Sequence, residues 1–188
     1  MTDIDGGLFG LVGAAALMLP ATIVVAADYL SVDAAQRALF PEAALFEPVI
    51  VSLNPMQKEA VAALAGPQPP HGTLKIWRAT ASDSTVGFVF IDEVIGKSDL
   101  ITYGVGIDTN GTLRTVEILA YRESHGGEIR NAAWRRQFAQ RNDLAQLEFR
   151  TDIKNISGAT MSSEHVTQGV RFLLALWQTA LQPPPSES

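Results

Sequence analysis

The sequence predicts an α+β domain in which helices flank a contiguous antiparallel sheet. Four runs rich in β-branched and aromatic residues follow one another with short connections. These strand-like runs cover residues 74–79, 85–95, 100–108 and 113–121. Helix signals lie before the first run and after the last one. Consecutive strands without helices between them pair as an antiparallel sheet, and the flanking helices then cover that sheet.

Composition agrees with one folded domain and excludes several functional classes. The 188 residues are 47% hydrophobic and 18% charged, so the chain can bury a core. A net charge of -6 argues against nucleic acid as a partner. The absence of cysteine excludes disulfides, iron–sulfur clusters and a thiol nucleophile. Because His71, His125 and His165 lack metal-ligand spacing, no metal site is predicted.

An uncharged apolar run over residues 8–27 is long enough to cross a membrane as a helix. It ends in small residues before Asp28, as signal-peptidase sites do, but residues 1–7 contain no Lys or Arg. Three interpretations stay open: a cleaved signal peptide, a retained membrane anchor, or a buried helix. The first two place the domain in the periplasm or on the extracytoplasmic side of the inner membrane.

Residues 28–72 are predicted to form an N-terminal helical segment. Ser31 precedes a helix that stops near the next proline, and Asn54 precedes a second helix with proline at its first position. A short apolar strand, 49–53, separates the two helices. The loop 66–72 (GPQPPHG) divides this segment from the main domain. The predicted divisions are therefore 1–27, 28–72, 73–182 and a disordered tail, 183–188.

Turn and helix signals also place the later elements. Thr109-Asn110-Gly111 predicts a hairpin because Asn-Gly tolerates positive φ. Residues 128–141 predict a helix on which Trp134 and Phe138 share a face. A single apolar stripe predicts a long final helix over residues 162–181.

The tetrapeptide Ser157-Gly158-Ala159-Thr160 stands immediately before the final helix. Free N–H groups and the dipole at a helix N-terminus favour an anion. The small residues leave space for a phosphate ester, and Thr160 places a hydroxyl at the first turn. On the residues alone, a phosphate site and an ordinary Ser/Thr helix cap both remain open. A second phosphate motif fails, because Gly96-Lys97-Ser98 lacks the P-loop glycine at position 91.

The SGAT motif, together with ESHGGEI at residues 123–129, resembles the FMN-binding domain family. That family includes the NqrC and RnfG subunits of sodium- or proton-linked redox complexes, and stand-alone bacterial flavoproteins. The resemblance covers about residues 75–174. Family members carry FMN as a phosphoester on the threonine that closes the motif, and an FAD-dependent flavin transferase makes the bond. The resemblance therefore implies covalent FMN on Thr160.

One position departs from the family pattern. Many members carry an acidic residue three places before the motif's serine, where this sequence has Lys154. Either Asp152 takes the acidic role, or Lys154 serves as a cation near the phosphate.

The resemblance also implies roles for the residues around Thr160. The SGAT residues shape the phosphate turn, while Glu123 and the glycines after it border the isoalloxazine ring. Trp134 either stacks on that ring or belongs to the core, and His125 either donates to the ring or is solvated. The implied cofactor-binding residues are Ser157, Gly158, Ala159, Thr160, Ser162, Glu123, His125, Gly126, Gly127 and Trp134. No catalytic residue is predicted.

Together these implications favour an exported or membrane-associated electron carrier over a stand-alone enzyme. A flavin transferase would mature the protein, and a membrane redox partner would exchange electrons with it. Two alternatives remain open. The chain could be the electron-delivering component of a membrane-associated or periplasmic reductase, or a non-redox sensory or assembly module of a membrane complex.

Overall fold

The computed structural model of the protein describes residues 27–123 and 125–182. Six strands form one antiparallel sheet: β1 (Ala27–Asp28), β2 (Leu45–Val49), β3 (Lys75–Ala81), β4 (Ser84–Ile95), β5 (Leu100–Asp108) and β6 (Leu113–Tyr121). Their order across the sheet is β1-β6-β5-β4-β3-β2. Strands β3 to β6 follow one another as hairpins, which confirms the predicted α+β class.

Four α-helices and three short 3-10 helices complete the described fold. The α-helices are α1 (Val32–Leu39), α2 (Pro55–Ala65), α3 (Ala132–Arg135) and α4 (Thr160–Ala180), and the 3-10 helices are Gly127–Arg130, Arg136–Phe138 and Leu144–Gln146. Within the described part of the chain, none of these helices has the length and apolarity that a membrane crossing needs. The predictions for residues 1–26 and for the tail 183–188 lie outside the described residues.

Both early helices begin at the predicted caps. The Ser31 hydroxyl accepts a hydrogen bond from the Ala34 N–H at 3.2 Å. At the start of α2, the Asn54 side chain accepts from the Gln57 N–H at 2.9 Å, and the Gln57 side chain accepts from the Asn54 N–H at 3.1 Å. This reciprocal pair satisfies two N–H groups that a helix start leaves free.

The sheet separates two layers of helices. Phe88 and Phe90 on β4 pack in the larger core, which α2 and α4 cover. Val89 and Ile91 alternate with them and pack beneath α1. Successive strand residues point to opposite faces, so a single strand supplies both cores.

Helix α4 runs from one end of the sheet toward the other. The helix starts at the end of the sheet where β4 ends, β5 begins and β6 ends. Its later turns reach the β5–β6 hairpin, where Trp177 lies against Gly111. The final helix begins at Thr160, two residues earlier than predicted, so Thr160 occupies its first turn.

The N-terminal segment shares the main core. Val61 and Ala65 of α2 belong to the cluster that α4 buries. The loop after α2 is bonded to β4, because the Gly72 N–H donates to the Glu93 carbonyl at 2.8 Å. The side chains of His71 and Asp92 also meet at 3.2 Å.

The strand predicted at 49–53 is wrong, because β2 spans Leu45–Val49 instead. Pairing with β3 ends at Val49, opposite Ile76. The following residues form no strand; Val51 and Leu53 lie partly buried against the core, and Ile50 is 93% exposed. The apolar composition of this stretch reflects packing of an irregular segment.

The continuous helix predicted for residues 128–141 is also wrong. Asn131 has extended backbone angles and separates the first 3-10 turn from α3, which it caps through its side chain to the Ala133 N–H. The segment ends at Ala139, which is extended, and at Gln140, whose φ is 64°. A side chain that caps a new turn competes with continuation of the previous one, which explains the break.

Candidate functional site

A cavity of about 380 Å³ lies at the start of α4. Three segments form its wall: the β4–β5 connection, the chain after β6 and the SGAT turn. Its lining residues are Lys97, Ser98, Glu123, His125, Gly158, Ala159, Thr160, Met161 and Ser162. The structure therefore brings together most of the predicted cofactor-binding residues, and adds Lys97, Ser98 and Met161.

The helix start in this cavity has no side-chain cap. Ala159 occupies the N-cap position, and no side chain accepts from the first turn there. Gly158 precedes it with a left-handed φ of 82°. The SGAT residues therefore do not form the ordinary Ser/Thr cap that the sequence left open. The first residues of this 21-residue helix line the cavity, and the free N–H groups of a helix start suit an anion.

Hydrogen bonds tie the first turn of α4 to the end of β6. Ser162 is buried, and its Oγ lies 3.2 Å from the Tyr121 hydroxyl. That hydroxyl donates to the His125 carbonyl at 2.6 Å. Burial raises the pKa of Tyr121, so the hydroxyl keeps the proton that it donates. Tyr121 thus joins two of the three segments that line the cavity.

Gly126 packs against the SGAT turn. Its φ is +87°, and a Cβ at this position would lie 2.3 Å from the Ala159 Cβ and 2.6 Å from the Tyr121 hydroxyl. Gly127 begins the adjacent 3-10 turn. Neither glycine is among the residues that line the cavity, and neither is Ser157. Gly126 therefore contributes to the site indirectly, because its lack of a side chain allows its backbone to lie close to Ala159.

Replacing Tyr121 by phenylalanine is expected to lower the free energy of unfolding by about 1–2 kcal/mol. The change removes the donor to the His125 carbonyl and leaves the buried Ser162 hydroxyl without this partner. Urea unfolding followed by circular dichroism measures the loss. Tyr29→Phe is the matched control, because Tyr29 is 38% exposed and contacts Arg130 through its ring. An equal loss in both variants would contradict a specific role for the Tyr121 hydroxyl.

The Glu123 carboxylate is engaged with the β4–β5 connection. It accepts from the Ser98 N–H at 2.8 Å, the Asp99 N–H at 3.1 Å and the Ser98 hydroxyl at 3.1 Å. Burial acts to raise the pKa of Glu123, but the hydrogen bonds from these donors and from the Lys97 backbone outweigh it and hold the pKa below its ordinary value. Glu123 is therefore an anion bound by the protein itself.

Trp134 lies in the core and is not a cavity-lining residue. The ring is 6% exposed, and its indole N–H donates to the Lys154 carbonyl at 2.8 Å. It meets Phe138 edge to face, with ring centroids 5.2 Å apart. Of the two roles left open for Trp134, this placement agrees with the core role. The hydrogen bond from the Trp134 indole N–H to the Lys154 carbonyl holds the chain in place shortly before the SGAT turn.

The two candidates for the family's acidic position lie outside the cavity lining. The Asp152 carboxylate accepts from the Glu148 N–H at 3.0 Å. The Lys154 N–H donates to the Gln137 side chain at 2.9 Å, and Lys154 is exposed. Among the residues that line the cavity, Lys97 supplies the positive charge.

These features fit a flavin mononucleotide. The cavity volume lies in the range of small-molecule sites. An uncapped helix N-terminus with the Thr160 hydroxyl in its first turn suits the phosphate. A Cβ at Gly158 would meet no atom within 4 Å, so space is open beside the turn.

Comparison with known proteins agrees with this fit. Residues 96–175 match the model of a family described as the FMN-binding domain. The chain is similar to one subunit of the Na(+)-translocating ferredoxin:NAD(+) oxidoreductase complex of Acetobacterium woodii, at 25% identity over 154 residues. The aligned region covers 77% of this chain and 72% of that protein. All the residues that line the cavity lie within the matched family segment.

Proposed function

We propose that this chain is an electron carrier of a membrane-associated redox complex, because residues 96–175 match the model of the FMN-binding domain family. FMN is held covalently, as a phosphoester of Thr160. The observation that carries the proposal is the position of Thr160, in the first turn of an uncapped helix and in the wall of a cavity. The similarity to a component of a ferredoxin:NAD(+) oxidoreductase complex supports the electron-transfer role.

The chain's own groups account for phosphate binding. The N–H groups at the start of α4 and the helix dipole favour the phosphate charge at this position. Lys97 adds a positive charge to the cavity wall. Gly158 and Ala159 present little side-chain volume beside the Thr160 hydroxyl, so an ester of that oxygen can extend into the cavity.

The attachment step follows from the hydroxyl at Thr160. Its Oγ would attack the FMN phosphorus of FAD, bound to a flavin transferase. The new Oγ–P bond forms as the bond between the two phosphates breaks, and AMP leaves. The hydroxyl proton passes to the transferase or to solvent. The resemblance to the family supports this route, because its members are matured by such a transferase.

When bound, FMN supplies reversible transfer of one or two electrons. A linkage through the phosphate leaves the ring atoms unsubstituted, so the surrounding residues set the potential. His125 and Met161 lie in the cavity lining and are the side chains from which such tuning is expected.

We also propose that the flavin domain lies on the extracytoplasmic side of the inner membrane, with residues 1–27 as signal peptide or anchor. The uncharged run over residues 8–27 supports this placement. The described domain begins with β1, at an edge of the sheet. Loss or retention of the preceding residues therefore leaves the central strands intact.

Reduction by native membranes tests the electron-carrier role. The flavinylated protein is mixed anaerobically with membranes of its host and a physiological reductant, and its flavin absorbance is followed. We expect the band to bleach and to return on addition of an oxidant. Thr160→Val, which keeps the side-chain shape without the hydroxyl, is the control that carries no flavin.

A flavin that dithionite reduces but native membranes do not would contradict the carrier role. Full partner binding and function by the Thr160→Val protein would instead favour the sensory or assembly alternative.

A further inference from the structure

We infer that Glu123 is a positioning residue that locks the loop of residues 96–99 into the cavity wall, and that this lock shields the bound flavin from solvent. The inference rests on the proposed FMN site. It assigns Glu123 a task other than direct contact with the isoalloxazine ring, which the family resemblance suggested. The residue acts through the loop that it holds.

The hydrogen bonds use both oxygens of the carboxylate. Oε1 accepts from the Ser98 N–H at 2.8 Å and from the Asp99 N–H at 3.1 Å. Oε2 accepts from the Ser98 hydroxyl at 3.1 Å. Bonds from three donors to one charged group give a strong and directional contact. They connect the chain after β6 to a loop that lies 24 and 25 residues earlier.

Side-chain packing contributes little to holding the 96–99 loop in place, because most of the loop is exposed. Lys97, Ser98 and Asp99 are all exposed, and their own turn is closed by the Gly96 N–H, which donates to the Asp99 carbonyl at 2.8 Å. Few apolar contacts and exposed backbone are the properties of segments that open locally. The strand pair Ile95–Leu100 and the Gly96–Asp99 bond close the loop on itself, and the Glu123 carboxylate ties Ser98 to the chain after β6.

Gly96 provides the space that the carboxylate occupies. A Cβ at this buried position would lie 2.6 Å from Glu123 Oε1 and 3.2 Å from the Ser162 Oγ. The lock therefore sits directly beside the first turn of α4. It joins two segments of the cavity wall, the 96–99 loop and the chain after β6.

The charge of Glu123 agrees with a structural lock. The backbone and hydroxyl donors favour the ionised carboxylate and hold its pKa low, despite the opposing effect of burial. These bonds occupy three of the roughly four acceptor positions of the carboxylate.

Amide exchange tests the lock without any flavin. In the full-length protein without cofactor, we expect the Ser98 and Asp99 amides to exchange about tenfold faster in Glu123→Gln than in the wild type, since the acceptor loses its charge. Ser98→Ala, which removes only the hydroxyl bond, should give a smaller increase. Glu128→Gln is the matched control, because Glu128 is a carboxylate in the adjacent 3-10 helix.

Iodide quenching of flavin fluorescence tests the shielding. In the flavinylated protein, at a temperature at which both variants are folded, we expect Glu123→Gln to raise the quenching constant severalfold and Glu128→Gln to leave it unchanged. Unchanged amide exchange in Glu123→Gln overturns the lock. Faster exchange with unchanged quenching overturns the shielding role. A wild-type protein that accepts no flavin would defeat the proposed function, while the exchange result would still decide the lock.

Discussion

Replacing Thr160 by alanine is expected to abolish covalent flavin incorporation and to leave the domain folded. The hydroxyl is the proposed ester oxygen, and it belongs to the first residue of α4. Alanine favours helix, so the first turn should persist. The measurement is the intact mass of denatured protein after co-production with an FAD-dependent flavin transferase. The wild type should gain the mass of one FMN less one water, and Thr160→Ala should gain none.

Ser157→Ala is the matched control for this experiment. Ser157 belongs to the same tetrapeptide and is exposed, but it does not line the cavity. Its replacement should leave the adduct on Thr160. An adduct that persists in Thr160→Ala, or that disappears only in Ser157→Ala, would move the attachment to another residue.

Replacing Gly126 by alanine is expected to destabilise the domain by about 2–5 kcal/mol. The left-handed backbone costs a side chain about 1–2 kcal/mol. The new Cβ would also meet the Ala159 Cβ at 2.3 Å. Such overpacking costs about 1–3 kcal/mol more. Urea unfolding measures the sum. Flavin incorporation should fall in parallel, because the SGAT turn must shift to admit the methyl group.

Gly158→Ala, measured in the protein without flavin, separates the backbone cost from the packing cost. Gly158 has a similar φ of +82°, but a Cβ there would meet nothing within 4 Å. Its replacement should therefore cost only the backbone part. If Gly158→Ala and Gly126→Ala were equally destabilised, the close approach of Gly126 to Ala159 would not contribute to the site.

Local chemistry made most of the fold predictable. The long strands β4, β5 and β6 combine β-branched composition with unambiguous turns, and the starts of α1 and α2 carry strong caps. The two wrong predictions concern segments in which tertiary packing outweighs the local sequence pattern. The apolar stretch after β2 packs on the core without pairing, and Asn131 divides an amphipathic segment that reads as one helix.

The candidate site was predictable only where its residues are neighbours in sequence. Thr160, Gly158 and Ala159 lie in one motif, and Glu123 and His125 lie in another. Lys97 and Ser98 were missed as cavity residues, because they reach the site through the pairing of β4, β5 and β6.

The sequence Gly96-Lys97-Ser98 contained a signal for these residues, although it does not match the P-loop motif. A glycine at the end of a strand, followed by donors, marks a turn that can bind an anion. Here the bound anion is the Glu123 carboxylate.

Peptide mapping of the protein purified from its own host tests the central claim most directly. Intact mass and the absorbance spectrum are recorded under denaturing conditions, followed by proteolysis and mass analysis of the yellow peptide. We expect one FMN phosphoester, located on Thr160. A colourless protein, or a flavin bonded to any other residue, would contradict the account.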